Sequence, residues 1–255
     1  MRLKDKVTVI TGGGSGIGRE TALLFAKEGA NVVITDLNAE GAQKVCNDIK
    51  ALGYEALNIP TDVTKNDDVV KMVAKVIDHY GRIDVLFNNA GIGCVGALHE
   101  LDEEVWDQTM LVNIKGVYLV SRHVIPHMMQ QRSGSIINMS SAIATTGLAI
   151  RAGYAASKGA IYSLTKSMQV DYAPYQIRVN ALLPGTIFTP FVENYLKKSY
   201  SDIDLAMEGL KKRQLSGDLG TPQDVAYAAL YLASDDAKFM MGAGMVIDGG
   251  LTAGK

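Results

Sequence analysis

The stretch Lys6-Val-Thr-Val-Ile-Thr11-Gly-Gly-Gly-Ser15-Gly16-Ile17-Gly18 decides how the rest of the chain is read. Lys6 to Thr11 is a short run rich in Val, Ile and Thr, the composition of a buried strand. A glycine-rich turn follows. From Ile17 to Glu28 the apolar residues, Ile17, Leu24 and Phe25 among them, fall at helical spacing, and Gly29 ends the run. Strand, glycine turn and helix in that order leave backbone N–H groups uncovered at a helix N-terminus. Such an arrangement receives a pyrophosphate. Gly12, Gly16 and Gly18 are spaced GxxxGxG; in the commoner GxGxxG fingerprint a glycine would stand where Ile17 does. The turn alone is a weak signal.

Alternation continues beyond it. Strands are expected at Asn31 to Thr35, Ala56 to Pro60, Ile83 to Asn88, Ser135 to Ser140, Ile177 to Leu183 and Met245 to Asp248. Helices are expected at Asn38 to Leu52, Asp67 to Tyr80, Glu103 to Asn113, Gly116 to Gln131 and Gly153 to Ala173. Strands joined by helices of this length form right-handed crossovers, hence a parallel sheet with helices on both faces. No repeat or Pro/Ser-rich linker interrupts the 255 residues, so one doubly wound α/β domain is expected. Residues 189–219 break the rhythm with a helical stretch between a strand end and the resumed fold, the place for a substrate-covering lid. A plain surface insertion is the alternative.

Asp36 ends the second strand, eighteen residues after Gly18, where an acid binds a ribose 2′-hydroxyl. A carboxylate there repels a 2′-phosphate, and positions 15 and 37 hold Ser15 and Leu37, not a cation. NAD is therefore the expected cofactor. Further along, Tyr154-Ala-Ala-Ser-Lys158 puts a phenol and an ammonium one helical turn apart, thirteen residues after Ser141. A phenol has a reference pKa of about 10, and a nearby cation favours its ionised form. With a serine to hydrogen-bond the substrate oxygen, this set can move a proton at an alcohol or carbonyl.

Composition narrows the class. The net charge of −2 gives no electrostatic case for nucleic acid or an anionic membrane. Lys211-Lys212-Arg213, the longest basic run, reads as a solvated helix face. Cys46 and Cys94 lack ligand or redox spacing, which suits a reducing cytoplasm, and no metal site is expected. The N-terminus runs into a strand without the pattern of a signal peptide, and no apolar run reaches membrane-spanning length.

Thr11 to Gly18, Asn88-Asn89-Ala90-Gly91, Asn113, Ser141, Tyr154, Lys158 and Pro184-Gly185 together resemble the short-chain dehydrogenase/reductase family, over essentially the whole chain. The resemblance implies a Rossmann-type domain with a seven-stranded sheet, usually a homotetramer. The helices at Gly116 to Gln131 and Gly153 to Ala173 and the stretch Ile247 to Gly250 would supply subunit contacts. It makes Tyr154 the general acid/base, with Lys158 lowering its pKa and bonding the nicotinamide ribose. Ser141 would polarise the substrate oxygen, the spacing to Tyr154 selecting it over Ser140. Asn113 would hold a relay water by interrupting its helix; a helix cap is its plainer reading. Asp62 and Val63 would contact adenine, Asn89 the adenosine ribose, and Ile187 and Thr189 the carboxamide.

For the substrate, residues 93–98, 142–153 and the lid should line the pocket, with room suggested by Gly93, Gly96 and Ala97. Arg151, three residues before Tyr154, could anchor a carboxylate by two parallel hydrogen bonds; an exposed or interface arginine is the alternative. Trp106 and His99 read as core or surface residues. The expected activity is NAD-dependent interconversion of a secondary alcohol and a ketone, on a sugar, polyol or hydroxy/keto acid. The alternatives are a 3-oxoacyl or simple-ketone reductase and, without catalysis, an NAD-sensing binding protein.

Overall fold

A computed structural model describes residues 1–199 and 202–254. The strands are β1 Val7–Thr11, β2 Asn31–Thr35, β3 Ala56–Asn58, β4 Val85–Asn88, β5 Gly134–Met139, β6 Ile177–Pro184 and β7 Gly244–Ile247. They form one seven-stranded sheet in the order β3-β2-β1-β4-β5-β6-β7, with every pairing parallel. The helices are α1 Gly16–Lys27, α2 Ala39–Ala51, α3 Asn66–Tyr80, α4 Glu103–Met110, α5 Gly116–Gln131, α6 Ala152–Tyr172, α7 Pro190–Ser199, α8 Ile203–Lys211 and α9 Pro222–Ala233.

Burial explains why these strands read as unbroken apolar runs. Adjacent strand residues point to opposite faces. Ile10, Ile34, Phe87 and Ile137 pack with α1, α2 and α9, whereas Val9, Val33, Leu86 and Ile136 pack with α3, α5 and α6. Two cores thus sandwich the sheet. A buried chain of amides crosses its middle: Asn88 donates to Asn138 Oδ1 at 2.9 Å, and Asn138 donates to Thr165 Oγ1 of α6 at 3.0 Å.

Several elements depart from expectation. The third strand stops at Asn58, short of the expected Pro60, and the last one spans Gly244–Ile247, one residue earlier than expected. The two helices expected at 103–113 and 116–131 are not separated, since a π-helical turn, Leu111–Lys115, joins α4 to α5. Helix α9 was not anticipated. It starts on a capping box in which Thr221 and Asp224 bond each other's backbone N–H, with Pro222 in the first turn.

The strand order reverses direction between β1 and β4, and a crevice opens there at the C-terminal strand ends. All the residues singled out in the sequence for chemistry sit at this edge or on the helices leaving it. Within residues 189–219, described except at positions 200 and 201, α7 and α8 follow β6 and stand over the same edge.

Candidate active site

Two cavities share this edge. The first, of about 450 Å³, runs from the glycine turn across the ends of β2 and β3. Gly12 adopts φ +64°, and a Cβ there would meet the Ala90 backbone at 2.9 Å. A Cβ on Gly18 would lie 2.2 Å from Gly12 O, so α1 can approach the turn this closely only without one. Ser15 caps α1 without using its side chain, which leaves its hydroxyl and the first N–H groups of α1 available to an anion. Asn89 does not face the cavity as a free amide. Its Nδ2 donates to Thr11 O and Gly12 O, both at 3.0 Å, and so clamps the turn from β4.

Asp36 closes the far side. Its Oδ2 accepts from Gly14 N at 2.9 Å and its Oδ1 from Asn38 N at 2.8 Å, which fixes the carboxylate beside the turn. Arg19 on α1 is paired with Glu20 and with Asp48 at 3.2 Å. Asp62 accepts from the Thr64 hydroxyl at 2.6 Å, and that bond holds its carboxyl below the usual range. Asp62 and Val63 line the cavity's outer end. An uncovered helix N-terminus, a fixed carboxylate and a slot of this length fit a dinucleotide: Gly12, Ser15, Gly16, Ile17 and Gly18 would meet the pyrophosphate and Asp36 a ribose.

Tyr154 and Lys158 stand on one face of α6, with Lys158 Nζ 5.6 Å from the phenol ring centroid. Lys158 is buried and donates to Met139 O, at the end of β5, at 2.9 Å. Burial pushes the Tyr154 phenol up to about 12, against hydrogen bonding from Ser141 and the positive charge of Arg151. Burial also brings Lys158 down to about 8. The phenol of the protein alone therefore shifts upward, opposite to the sequence expectation, because both groups lose solvation and the ammonium is itself disfavoured.

The serines beside β5 differ. Ser140 Oγ is committed to Lys158 O at 2.8 Å, whereas Ser141 Oγ makes a 3.4 Å contact to Pro184 O, accepts from Ile143 N at 3.3 Å and stands within hydrogen-bonding reach of the Tyr154 phenol. Asn113 lies in the π-helical turn, not at a helix break. It accepts from Ile92 N and donates to Ile92 O, each at 2.8 Å, and also donates to Ser157 Oγ at 3.0 Å. A turn closed by i→i+5 bonds can swing a side chain inward without ending the helix. Asn113 thus ties the loop after β4 to α6, and the plainer cap reading does not apply.

The second cavity, of about 460 Å³, lies between β5, the loop after β6 and α7–α8. Ile17, Met139, Tyr154 and Thr189 line both cavities, so the phenol stands where they meet. Ile187 lines the second and is fixed by a parallel bridge to Gly220, while Pro184-Gly185 forms its floor. Arg151 borders it at the start of α6, positioned by a bridge to Gly96. The preceding Ile150 has φ +54°, a strained conformation for a β-branched residue.

Of the residues expected in this pocket, Cys94, Val95, Ile143, Leu148 and Val192 are present, and they make it more apolar than the small residues suggested. Gly96 is used for the bridge to Arg151, with Leu101 packed against it. His99 is exposed, and Trp106 packs near Gly153. Arg213, inside the expected lid but in a basic run read as a solvated face, enters from the end of α8, and Leu251, which sequence reasoning missed, comes from the C-terminal loop. Nothing periodic announces either one.

Among the described residues no cluster of His, Cys, Asp or Glu could hold a metal, and no helix is long and apolar enough to cross a membrane. Residues 12–252 match a family model described as enoyl-(acyl carrier protein) reductase. The 3-oxoacyl-[acyl-carrier-protein] reductase FabG of Thermotoga maritima is 41% identical over 98% of this chain and 99% of its own length. The cis-4-hydroxycyclohexanecarboxylate dehydrogenase of Sinomonas cyclohexanicum is 41% identical over 98% of this chain and 97% of its own. Levodione reductase superposes with a TM-score of 0.96 at 35% identity, covering 100% of both chains. With the motifs, the parallel sheet and relatives matched end to end, the chain belongs to the short-chain dehydrogenase/reductase family, oxidoreductases of CH–OH donors.

Proposed function

We propose that this protein is an NAD-dependent dehydrogenase that interconverts a secondary alcohol and a ketone on a hydroxy or keto acid with an apolar body. The observation that carries the reading is the meeting of the two cavities at Tyr154, with Arg151 in the wall of the second. The fixed Asp36 carboxylate supports NAD over NADP, since among the described residues lining this cavity the only Lys or Arg is Lys158, which belongs to the Tyr154 end. The mainly aliphatic lining argues against a sugar or polyol, which would need hydrogen-bonding partners on several sides. The cyclohexane acid in the name of the Sinomonas relative combines the same two features, a ring and a carboxylate.

Bound NAD supplies the hydride acceptor for oxidation and, reduced, the hydride donor for reduction. Tyr154 Oη takes the hydroxyl proton in oxidation and returns it in reduction. Ser141 Oγ, beside the Tyr154 phenol, donates to the substrate oxygen and stabilises it as charge builds. Lys158 Nζ, held against Met139 O, places a positive charge beneath the phenol. With the phenol near 12 and the ammonium near 8, the protein at pH 7 carries the proton on Tyr154, the form that reduction uses. Oxidation starts from the phenolate and gains with rising pH. Helices α7 and α8 would exclude water as a lid. Assembly as a homotetramer would cover apolar residues now exposed, Tyr118 on α5 and Val246 on β7.

Initial rates with NAD and NADP against hydroxy acids and neutral secondary alcohols test this, repeated with Arg151→Ala. A KM for acids raised about tenfold to a hundredfold is expected in the variant, the worth of a charge-assisted pair. Activity confined to neutral alcohols and indifferent to Arg151 discards the acid. A second reading, a 3-oxoacyl reductase, is favoured by the FabG relative and the apolar cavity. Strong NADPH preference with long-acyl activity would select it.

A further inference from the structure

The basic run Lys211-Lys212-Arg213 divides in the fold. Lys211 pairs with Asp218 at 2.9 Å and Lys212 with Glu208 at 3.8 Å. Arg213 instead stands in the wall of the second cavity, beside Leu210 and Leu251, and among the described residues no carboxylate lies within ion-pair distance of it. It is not a passing surface side chain. The next residue, Gln214, is buried, accepts from Thr186 N at 3.4 Å and donates to Asp218 O at 3.1 Å, which pins this end of α8 to the exit of β6. The described lining holds two arginines, Arg151 and Arg213, and no Asp or Glu.

The two arginines are not equivalent. Arg151 caps the start of α6, the helix that carries Tyr154, whereas Arg213 lies beyond the end of α8, which carries no group of the proton path. The rest of the lining they share is largely aliphatic, Ile143, Leu148 and Val192 included. We infer that Arg213 is a second substrate-binding residue, which receives an anionic group at the end of the substrate remote from the reacting carbon and so selects dicarboxylic over monocarboxylic hydroxy acids. A guanidinium suits this role because its planar donor fork matches a carboxylate, and a partly water-excluded wall strengthens the pairing. The inference rests on the acid-dehydrogenase reading for its reaction, but the anion site stands on the geometry of Arg213 alone.

The test uses the whole chain with NADH present, at fixed ionic strength, so that general screening is constant. Two unreactive probes of equal carbon number, glutarate and pentanoate, are titrated by calorimetry into the wild type, Arg213→Gln and Arg213→Lys. In parallel, kcat and KM are compared for 2-hydroxyglutarate and 2-hydroxypentanoate. Glutarate is expected to bind the wild type at least tenfold tighter than pentanoate. Arg213→Gln is expected to reduce that ratio about tenfold or more through KM, and Arg213→Lys to restore part of it. A ratio unchanged in Arg213→Gln overturns the proposal. So does an equal loss for both probes, which would mean that Arg213 shares one carboxylate with Arg151 or only supports the fold. If glutarate discriminates through Arg213 while no hydroxy acid is oxidised, the anion site stands and the acid-dehydrogenase reading falls.

Discussion

The two cavities share a wall at Tyr154 yet are built by different means. The nucleotide side is backbone: a glycine turn whose conformation a Cβ would forbid, an asparagine spent on clamping it, and an aspartate bonded to two N–H groups. The substrate side is a convergence of side chains from the β4 loop, the start of α6, α7–α8 and the C-terminus. A site made from backbone tolerates few sequences. One made from side chains on helices and loops can change its ligand while the sheet stays as it is. The boundary residue, Tyr154, belongs to both and is held by α6, one of the longest elements.

The largest break in this comparison should come at that boundary. Tyr154→Phe is expected to lower kcat by about a thousandfold or more, the range of a lost general acid/base, with the dinucleotide Kd within about twofold by fluorescence titration. Near-normal turnover would remove Tyr154 from the proton path. Next in size, Asp36→Asn keeps the shape of the nucleotide side but removes its charge. We expect kcat/KM with NAD to fall about tenfold and the NAD-over-NADP ratio to narrow by more, measured with both cofactors at one substrate concentration.

Lys158→Met separates stability from function. The lysine's folded pKa, near 8, lies below its ordinary value of 10.5. The unfolded chain therefore binds more protons between those values, and stability rises with pH across that window. The variant should be more stable than the wild type at pH 7, by about 1–3 kcal/mol in urea melts, and the gain should shrink toward pH 10.5. Turnover should fall meanwhile, and a constant gain at all pH values would show that burial of the charge is not its source. The smallest effect is on the substrate side. Ile150→Gly relieves the strained φ beside Arg151, for a net stability change within about 1 kcal/mol, while KM for acids rises a few-fold as Arg151 loses its fixed entry into α6. An unchanged KM would mean that the bridge from Gly96 positions Arg151 by itself.

The sheet was legible because buried parallel strands must be apolar on both faces, and the runs around Val9, Val33 and Leu86 are. Helix α9 carried a readable start signal in Thr221-Pro222 and Asp224, but its alanine-rich interior gives weak periodicity. The joining of α4 and α5 was hidden, since a π-helical turn has no distinctive composition. On the nucleotide side, Gly12, Gly18 and Asp36 could be read in order, because backbone conformation and strand ends are local properties of the chain.

Sequence alone determined the parallel α/β sheet, the glycine turn and the pairing of Tyr154 with Lys158 one helical turn away, because each depends on residues close together in the chain. Only the tertiary structure decided that Ser140 is spent on Lys158 O, that Asn113 binds the backbone of Ile92, and that Arg213 leaves its lysine neighbours to enter the substrate cavity. It also decided the direction of the Tyr154 shift, since a neighbouring cation is visible in sequence but the loss of solvation that outweighs it is set by everything packed around the pair.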